Sequence, residues 1–221
     1  MDLAVNLDQL MSAFEAYNHA VWPVQVLAYL LGLIALYSAS KTTRVSNNVT
    51  SGILSFFWLW TGIAFCIIYW GPIYPAAYFF GVLFIAQGML FFAGAFRPKL
   101  SFHTGSNLHS IIGLLFIAYA MIGYPVMGHF LGHTYPRSLP FGLVPCPTAV
   151  LTFGLFMLTD KKVPKHILVI PAFWALCAFV PVFSGILEDA GLIIAGLVCT
   201  PMILLRDRRS QGERTNTASA P

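Results

Sequence analysis

The sequence predicts an all-α membrane protein: a polytopic bundle of seven transmembrane helices, with the N-terminus outside and the C-terminus in the cytoplasm. Composition is the first indication. Of the 221 residues, 58% are hydrophobic and only 9% are charged, whereas a soluble domain carries about 25% charged residues. The second indication is the length of the apolar segments, and the third is the distribution of Lys and Arg between the loops.

Seven apolar segments approach the length of about 20 residues that a helix needs to cross a bilayer core of about 30 Å. They lie at residues 21–40, 49–70, 76–96, 108–128, 141–159, 166–184 and 190–205. Helices are predicted because lipid cannot satisfy backbone hydrogen-bonding groups. The segments also lack the apolar and polar alternation of membrane-barrel strands. Together these segments predict a membrane domain at residues 21–205.

Two polar segments flank the membrane domain. In residues 1–20, apolar side chains recur at helical spacing between acidic ones, namely Leu3, Leu7, Leu10, Met11 and Phe14. We expect this segment to form an amphipathic helix on the outer surface. Residues 206–221 are polar and small after a basic start. We expect them to form a disordered cytoplasmic tail.

The basic residues predict the orientation. They follow the first, third and fifth segments and begin the tail: Lys41, Arg44, Arg97, Lys99, Lys161, Lys162, Lys165, Arg206, Arg208, Arg209 and Arg214. Of the 12 Lys and Arg residues, only Arg137 falls on the other side. Cytoplasmic loops carry the excess of Lys and Arg, so the N-terminus is predicted outside. Because membrane topology accounts for the positive charge, the expected partner is the lipid bilayer rather than nucleic acid.

This orientation gathers six reactive side chains at the outer ends of the predicted helices: His19, His129, His133, Cys146, Glu188 and Asp189. His129 and His133 share a helix face if the fourth helix continues that far. Thiolate, imidazole and carboxylate are suitable ligands for zinc or copper. The sequence therefore predicts a metal or solute site of His129, His133, Cys146 and Glu188, with His19 and Asp189 in support.

Near the start of the fifth segment, two prolines flank a cysteine in the element Pro145-Cys146-Pro147-Thr148. Within a helix, the two prolines would free the carbonyls of Phe141 and Leu143 and kink the outer turn. Broken helices at membrane depth are typical of transport and binding sites, and Thr148 could bond to the chain or to a ligand. A tight turn is the alternative, and the sequence leaves both open.

Each candidate residue also has a purely structural interpretation. Histidines at helix ends bond to water or loops, a thiol can pack as a small apolar group, and Asp189 can cap a helix. His19 can simply end the amphipathic helix. The four cysteines lack the paired spacing of a zinc ribbon or a disulfide framework.

Three strings carry a resemblance to a known family: "YNHAVWPVQVLAYLLGL", "GHFLGHTYP" and "FGLVPCPTAVLTFGL". They resemble an uncharacterised family of bacterial multi-pass membrane proteins, catalogued as a domain of unknown function. The resemblance spans most of the chain and implies a protein of the bacterial cytoplasmic membrane. It implies no activity and no catalytic residues.

Three functional hypotheses follow. The first is a membrane protein, not an enzyme, that binds or transports a transition metal or another small solute through the outer site. The second is a membrane-embedded metal-dependent hydrolase acting on a lipid-like substrate. A catalytic zinc needs three fixed protein ligands and a base, and the third ligand, His19, would have to come from another helix. The third is a non-catalytic scaffold subunit.

Overall fold

The computed structural model describes residues 7–96 and 100–218, with side chains as far as Arg208. These residues form helices and no strand, which confirms the all-α prediction. The helices are α1 (Leu7–Val21), α2 (Val24–Ala39), α3 (Arg44–Trp70), α4 (Ala76–Phe96), α5 (Leu108–Phe130), α6 (Pro145–Met157), α7 (Lys165–Phe183) and α8 (Ala190–Ala218), the last preceded by a single turn at Leu187–Asp189.

Five helices within the described residues, α3, α4, α5, α7 and α8, are long and apolar enough to cross a membrane. Helices α1 and α2 are bent by 83° at a short break and together would make a sixth crossing. Helix α6 is apolar but has only 13 residues, about 20 Å at helical rise. The count of seven crossings therefore remains a prediction.

The loops at one end of the bundle bond to one another, and we call this the basic end. The N–H of Phe102 donates to the side-chain oxygen of Asn47 at 2.9 Å, and the N–H of Asp160 donates to Ser101 at 3.0 Å. The start of the tail joins them, because Arg206 donates to the carbonyl of Thr159 at 2.8 Å. The described basic side chains of these loops are those of Lys41, Arg44, Lys161, Lys162, Lys165, Arg206 and Arg208; Arg97 and Lys99 lie outside the described residues.

The opposite end, which we call the site end, is covered by α1 and by the loop at residues 131–144. Helix α1 packs on the bundle, with its apolar face buried. The side-chain amide of Asn18 donates to the carbonyls of Pro136 and Ser138 at 2.6 and 2.7 Å. Glu15 and Arg137 form an exposed ion pair at 2.8 Å. Leu3 lies outside the described residues.

Helix α6 is enclosed by protein, and all of its residues are buried. It contacts α5 most closely where Gly113 and Gly154 face each other, since a Cβ on either residue would lie within 2.8 Å of the carbonyl oxygen of the other. On another side, the indole N–H of Trp58 donates to the hydroxyl of Thr152 at 3.0 Å. Helix α6 is therefore an interior helix of the bundle.

The two prolines lie in the first turn of α6 and not in the helix interior. Pro145 occupies the first helical position and Pro147 lies in the same turn, after the extended residue Val144. Backbone N–H groups in the first turn have no intrahelical partner, so proline costs nothing there. The hydroxyl of Thr148 donates to the carbonyl of Val144 at 2.7 Å, and thus it bonds to the chain.

Helix α8 extends past residue 205, where the predicted span ended. It continues as helix through Ala218. Asp207 is buried and accepts a hydrogen bond from the N–H of Val163 at 3.0 Å. The start of the predicted tail is therefore part of the packed bundle.

One buried hydroxyl fastens the 131–144 loop to the bundle. Tyr17 donates to the carbonyl of Leu143 at 2.8 Å and accepts from the indole N–H of Trp60 at 2.8 Å. A buried backbone carbonyl needs a hydrogen-bond partner. Tyr17 supplies one to Leu143.

We expect Tyr17→Phe to lower the free energy of unfolding by about 1–3 kcal/mol, because a buried carbonyl and a buried indole N–H each lose a partner. Chemical denaturation of the purified protein in detergent measures this change. Tyr37→Phe is the matched control, because the Tyr37 side chain is 66% exposed and its loss should change stability by less than about 0.5 kcal/mol. Equal stability of the two variants would contradict the role of Tyr17.

Candidate functional site

Two adjacent carboxylates lie buried at the site end, in the turn that precedes α8. Glu188 and Asp189 are each only 1% exposed. A buried carboxylate is costly unless hydrogen-bond donors or cations surround it. The partners of these two side chains therefore indicate how the site is built.

Asp189 joins α8 to two other helices. One of its carboxylate oxygens accepts a hydrogen bond from the hydroxyl of Tyr124 in α5. The other accepts from the thiol of Cys146 in α6, at 3.2 Å. Both donors are neutral groups, so they solvate a carboxylate without balancing its charge.

Glu188 points toward the 131–144 loop, where its Oε1 lies 2.7 Å from Nδ1 of His133. Gly128 permits this approach, because a Cβ at that position would lie 3.2 Å from the same oxygen. The second oxygen of Glu188, Oε2, is buried and has no hydrogen-bond partner within the described residues. His133 is itself buried, with 8% exposure.

The end of α5 explains why His133, and not His129, reaches the carboxylates. Gly132 adopts a φ of 90°, a conformation that glycine adopts without strain. The N–H of His133 donates back to the carbonyl of Gly128 at 2.8 Å, and that of Gly132 to His129 at 3.2 Å. These two bonds form a Schellman motif, which ends the helix and reverses the chain. Because α5 ends at Phe130, the two histidines do not share a helix face.

The six predicted site residues therefore separate into two groups. Cys146, His133, Glu188 and Asp189 lie together, while His129 and His19 are exposed; the His19 ring is 6.1 Å from that of Tyr135. Among the residues that the structure describes, no three His, Cys, Asp or Glu side chains are arranged to hold a metal ion. The donors of the predicted zinc or copper site instead hydrogen-bond in two pairs, His133 with Glu188 and Cys146 with Asp189.

A cavity of about 220 Å³ adjoins Asp189. It lies where α1, α3, α4, α6, α7 and the start of α8 meet at the site end. Six aromatic side chains contribute to its wall: Phe14, Phe65, Trp70, Tyr74, Phe80 and Trp174. Asp189 and Cys146 also line it. Asp189 is the only Asp, Glu, Lys, Arg or His among the described lining residues. We call this space the aromatic cavity.

Several residues of the site were not among the sequence candidates. Tyr124 bonds to Asp189, and the hydroxyl of Tyr119 donates to the backbone carbonyl of Glu188 at 2.7 Å. The sequence does contain an indication of both tyrosines, because a tyrosine inside an apolar span needs a hydrogen-bond partner for its hydroxyl. A role in the site could not be predicted for Trp70 and Trp174, since tryptophans are common in membrane belts.

The pair of His133 and Glu188 provides a direct test of this geometry. We expect His133→Ala to lower the free energy of unfolding by about 3 kcal/mol or more, because Glu188 loses its one side-chain partner while buried. The matched control is His129→Ala, which removes an exposed imidazole and should change stability by less than about 0.5 kcal/mol. Denaturation in detergent compares the two variants, and similar losses would show that the pair does not stabilise the fold.

The comparisons with known proteins place the chain in a family without assigning an activity. No curated protein and no solved structure matches it. A match to the family described as "Family of unknown function (DUF6064)" covers residues 7–214. This confirms the resemblance to an uncharacterised family. The chain, over nearly its whole length, belongs to DUF6064.

Proposed function

We propose that this protein is an integral membrane protein that binds a small organic cation in the aromatic cavity, with Asp189 as the counter-charge. The composition of the cavity wall is the observation that supports this proposal. Six aromatic rings and one carboxylate line the space, and no basic side chain stands among the described lining residues. That combination favours a positively charged ligand with apolar substituents.

Aromatic rings attract cations through the negative potential of their faces. A cation within about 6 Å of a ring centroid gains roughly 0.5–2 kcal/mol, and tryptophan is the strongest partner. Trp174 and Phe80 approach each other edge to face, with ring centroids 5.0 Å apart. Trp70 and Tyr74 stack with a centroid separation of 5.5 Å. A ligand in the cavity therefore meets two separate pairs of rings.

The charge balance of the site also favours a cation. Two carboxylates are buried side by side, and His133 is the one basic side chain paired with them. Within the described residues, no Lys or Arg forms an ion pair with Glu188 or Asp189. If both acids are ionised, even a protonated His133 leaves one negative charge unbalanced. An organic cation next to Asp189 supplies the missing charge.

The size of the cavity limits the ligand to a small molecule. A dry cavity of about 150 Å³ holds a benzene molecule, and the aromatic cavity has about 220 Å³. The buried indole N–H groups of Trp70 and Trp174 make no hydrogen bond of good geometry within the described residues. A hydroxyl or carbonyl on the ligand could accept from one of them. A bare metal ion would use neither the rings nor these donors.

The proposed setting is the bacterial cytoplasmic membrane, with the site end outside and the basic end in the cytoplasm. Helices α2 to α8 run alternately between the two ends, which supports seven crossings even though α6 is short. The segregation of Lys and Arg supports the direction. The aromatic cavity would then exchange its ligand with the external side.

Cysteine labelling tests this orientation. Ser184 and Ser40 are both exposed and lie at the site end and the basic end, respectively. We expect a membrane-impermeant maleimide to label Ser184→Cys in intact cells and to label Ser40→Cys only after lysis. The unsubstituted protein supplies the background from the half-buried Cys177. Labelling of both positions from the same side would overturn the topology.

Choline and its uncharged carbon analogue, 3,3-dimethylbutan-1-ol, test the ligand class, because they share a shape and differ in charge. We expect the purified protein to bind choline at least 10-fold more tightly than the analogue, and Asp189→Asn to remove this preference. Calorimetry and quenching of tryptophan fluorescence measure the binding. Asp207→Asn, which changes a buried carboxylate at the other end, is the matched control. Equal binding of the two compounds would refute a cation site.

Two adjacent phenylalanines in α4 provide a test of the aromatic wall and its matched control. Phe80 lines the aromatic cavity, whereas the adjacent Phe79 is 59% exposed. Phe80→Leu should weaken choline binding several-fold through loss of a ring face, and Phe79→Leu should leave it unchanged. If neither substitution changes binding, choline does not occupy this cavity.

A further inference from the structure

A cleft between α7 and α8 at the basic end is distant from the aromatic cavity and has a different chemistry. It has a volume of about 370 Å³ and is lined at its mouth by Lys162, Lys165 and Arg208. Deeper in, its walls are the apolar side chains of Leu168, Val169, Ala172 and Leu204. The cleft therefore combines a positively charged opening with an apolar interior.

An apolar trough of about 270 Å³ continues the cleft toward the middle of the bundle. Ala172 and Thr200 line both spaces, so the two are contiguous. The trough follows α8 from Thr200 to Ile193, about 10 Å at helical rise, which lies within one bilayer leaflet of about 15 Å. Its walls include the side chains of Leu176 and Leu197, which are 60% and 59% exposed. The trough thus lies open on the face that lipid would cover.

The charge at the mouth of the cleft is positive. Asp207 is the one acidic residue among the described lining residues, and its carboxylate already accepts hydrogen bonds within the protein. Its carboxylate accepts from the N–H of Val163 at 3.0 Å and from the guanidinium of Arg206 at 3.1 Å. Lys162, Lys165 and Arg208 are exposed. An anion at the mouth would meet three cationic side chains and a carboxylate that Arg206 neutralises.

Thr200 marks the boundary between the charged and apolar parts. A threonine inside a helix commonly bonds to the carbonyl four residues earlier; Thr50, for example, donates to Ser46 at 3.0 Å. The hydroxyl of Thr200 makes no hydrogen bond within the described residues. It thus remains available as a donor at the point where a charged headgroup would give way to an acyl chain.

We propose that this cleft and trough form a binding site for one anionic phospholipid. The phosphate lies among Lys162, Lys165 and Arg208, the ester region lies near Thr200, and an acyl chain follows the trough along Ala172. Basic pockets between membrane helices bind anionic headgroups in this way. The site depends on the chain lying in a membrane, and it is independent of any ligand in the aromatic cavity.

Native mass spectrometry of the full-length protein in detergent tests the site, with phosphatidylglycerol or phosphatidylcholine of the same acyl chains as titrant and with excess choline present to occupy the aromatic cavity. Each basic side chain near an anionic group contributes roughly a fivefold factor in affinity. Combining Lys162→Gln, Lys165→Gln and Arg208→Gln should therefore weaken phosphatidylglycerol binding on the order of 100-fold. Combining Lys41→Gln, Arg44→Gln and Lys161→Gln, which removes the same charge at the same end but outside the cleft, should leave binding nearly unchanged.

Two further experiments distinguish binding of a phospholipid from binding of a free anion. Ala172→Leu narrows the trough and should weaken lipid binding several-fold, while Ala93→Leu, on an exposed face of α4, should not. Glycerol 3-phosphate, which has the headgroup chemistry without acyl chains, should compete poorly. Equal affinity for the two phospholipids, equal effects of the two triple variants, or full competition by glycerol 3-phosphate would each overturn the lipid site.

Discussion

The packing of the site end depends on the two carboxylates at the start of α8. Glu188 and Asp189 are neighbours in the chain, yet they bond in different directions, to the 131–144 loop and to α5 and α6. In a medium of low dielectric constant such bonds are strong, and leaving them unmade is costly. Two consecutive residues therefore hold three separate elements at fixed positions around the aromatic cavity.

The aromatic cavity is bounded by a loop and by a helix that crosses the site end. Helix α6 begins only at Pro145, so the loop before it descends into the bundle and is covered by α1. Helix α1 in turn crosses the end of the bundle after an 83° bend from α2. The space left between these elements is walled by aromatic rings, and Cys146 and Asp189 also line it. The opposite end, with its interlocked loops, contains no comparable aromatic enclosure among the described residues.

The all-helical fold and its long apolar helices could be predicted from hydropathy, because hydropathy is an average over many residues. What could not be predicted depends on single residues and on neighbours distant in the sequence. The positive φ of Gly132 ends α5 and separates His129 from His133. The placement of Pro145 in a first turn, rather than inside a helix, depends on where the chain enters the bundle. The pairing of Tyr124 with Asp189 joins positions 65 residues apart, and no local pattern encodes such a contact.

The enclosure of α6 has a consequence for sequence variation in this family. A helix that faces lipid can exchange one apolar side chain for another on its outer surface, because lipid adapts to any shape. Helix α6 has no such surface, since every one of its residues packs against protein. A change in volume at Gly154 or Leu151 must be compensated by a neighbour in α5, α7 or α8. We therefore expect a replacement in α6 to be accompanied by a compensating change in the helices around it.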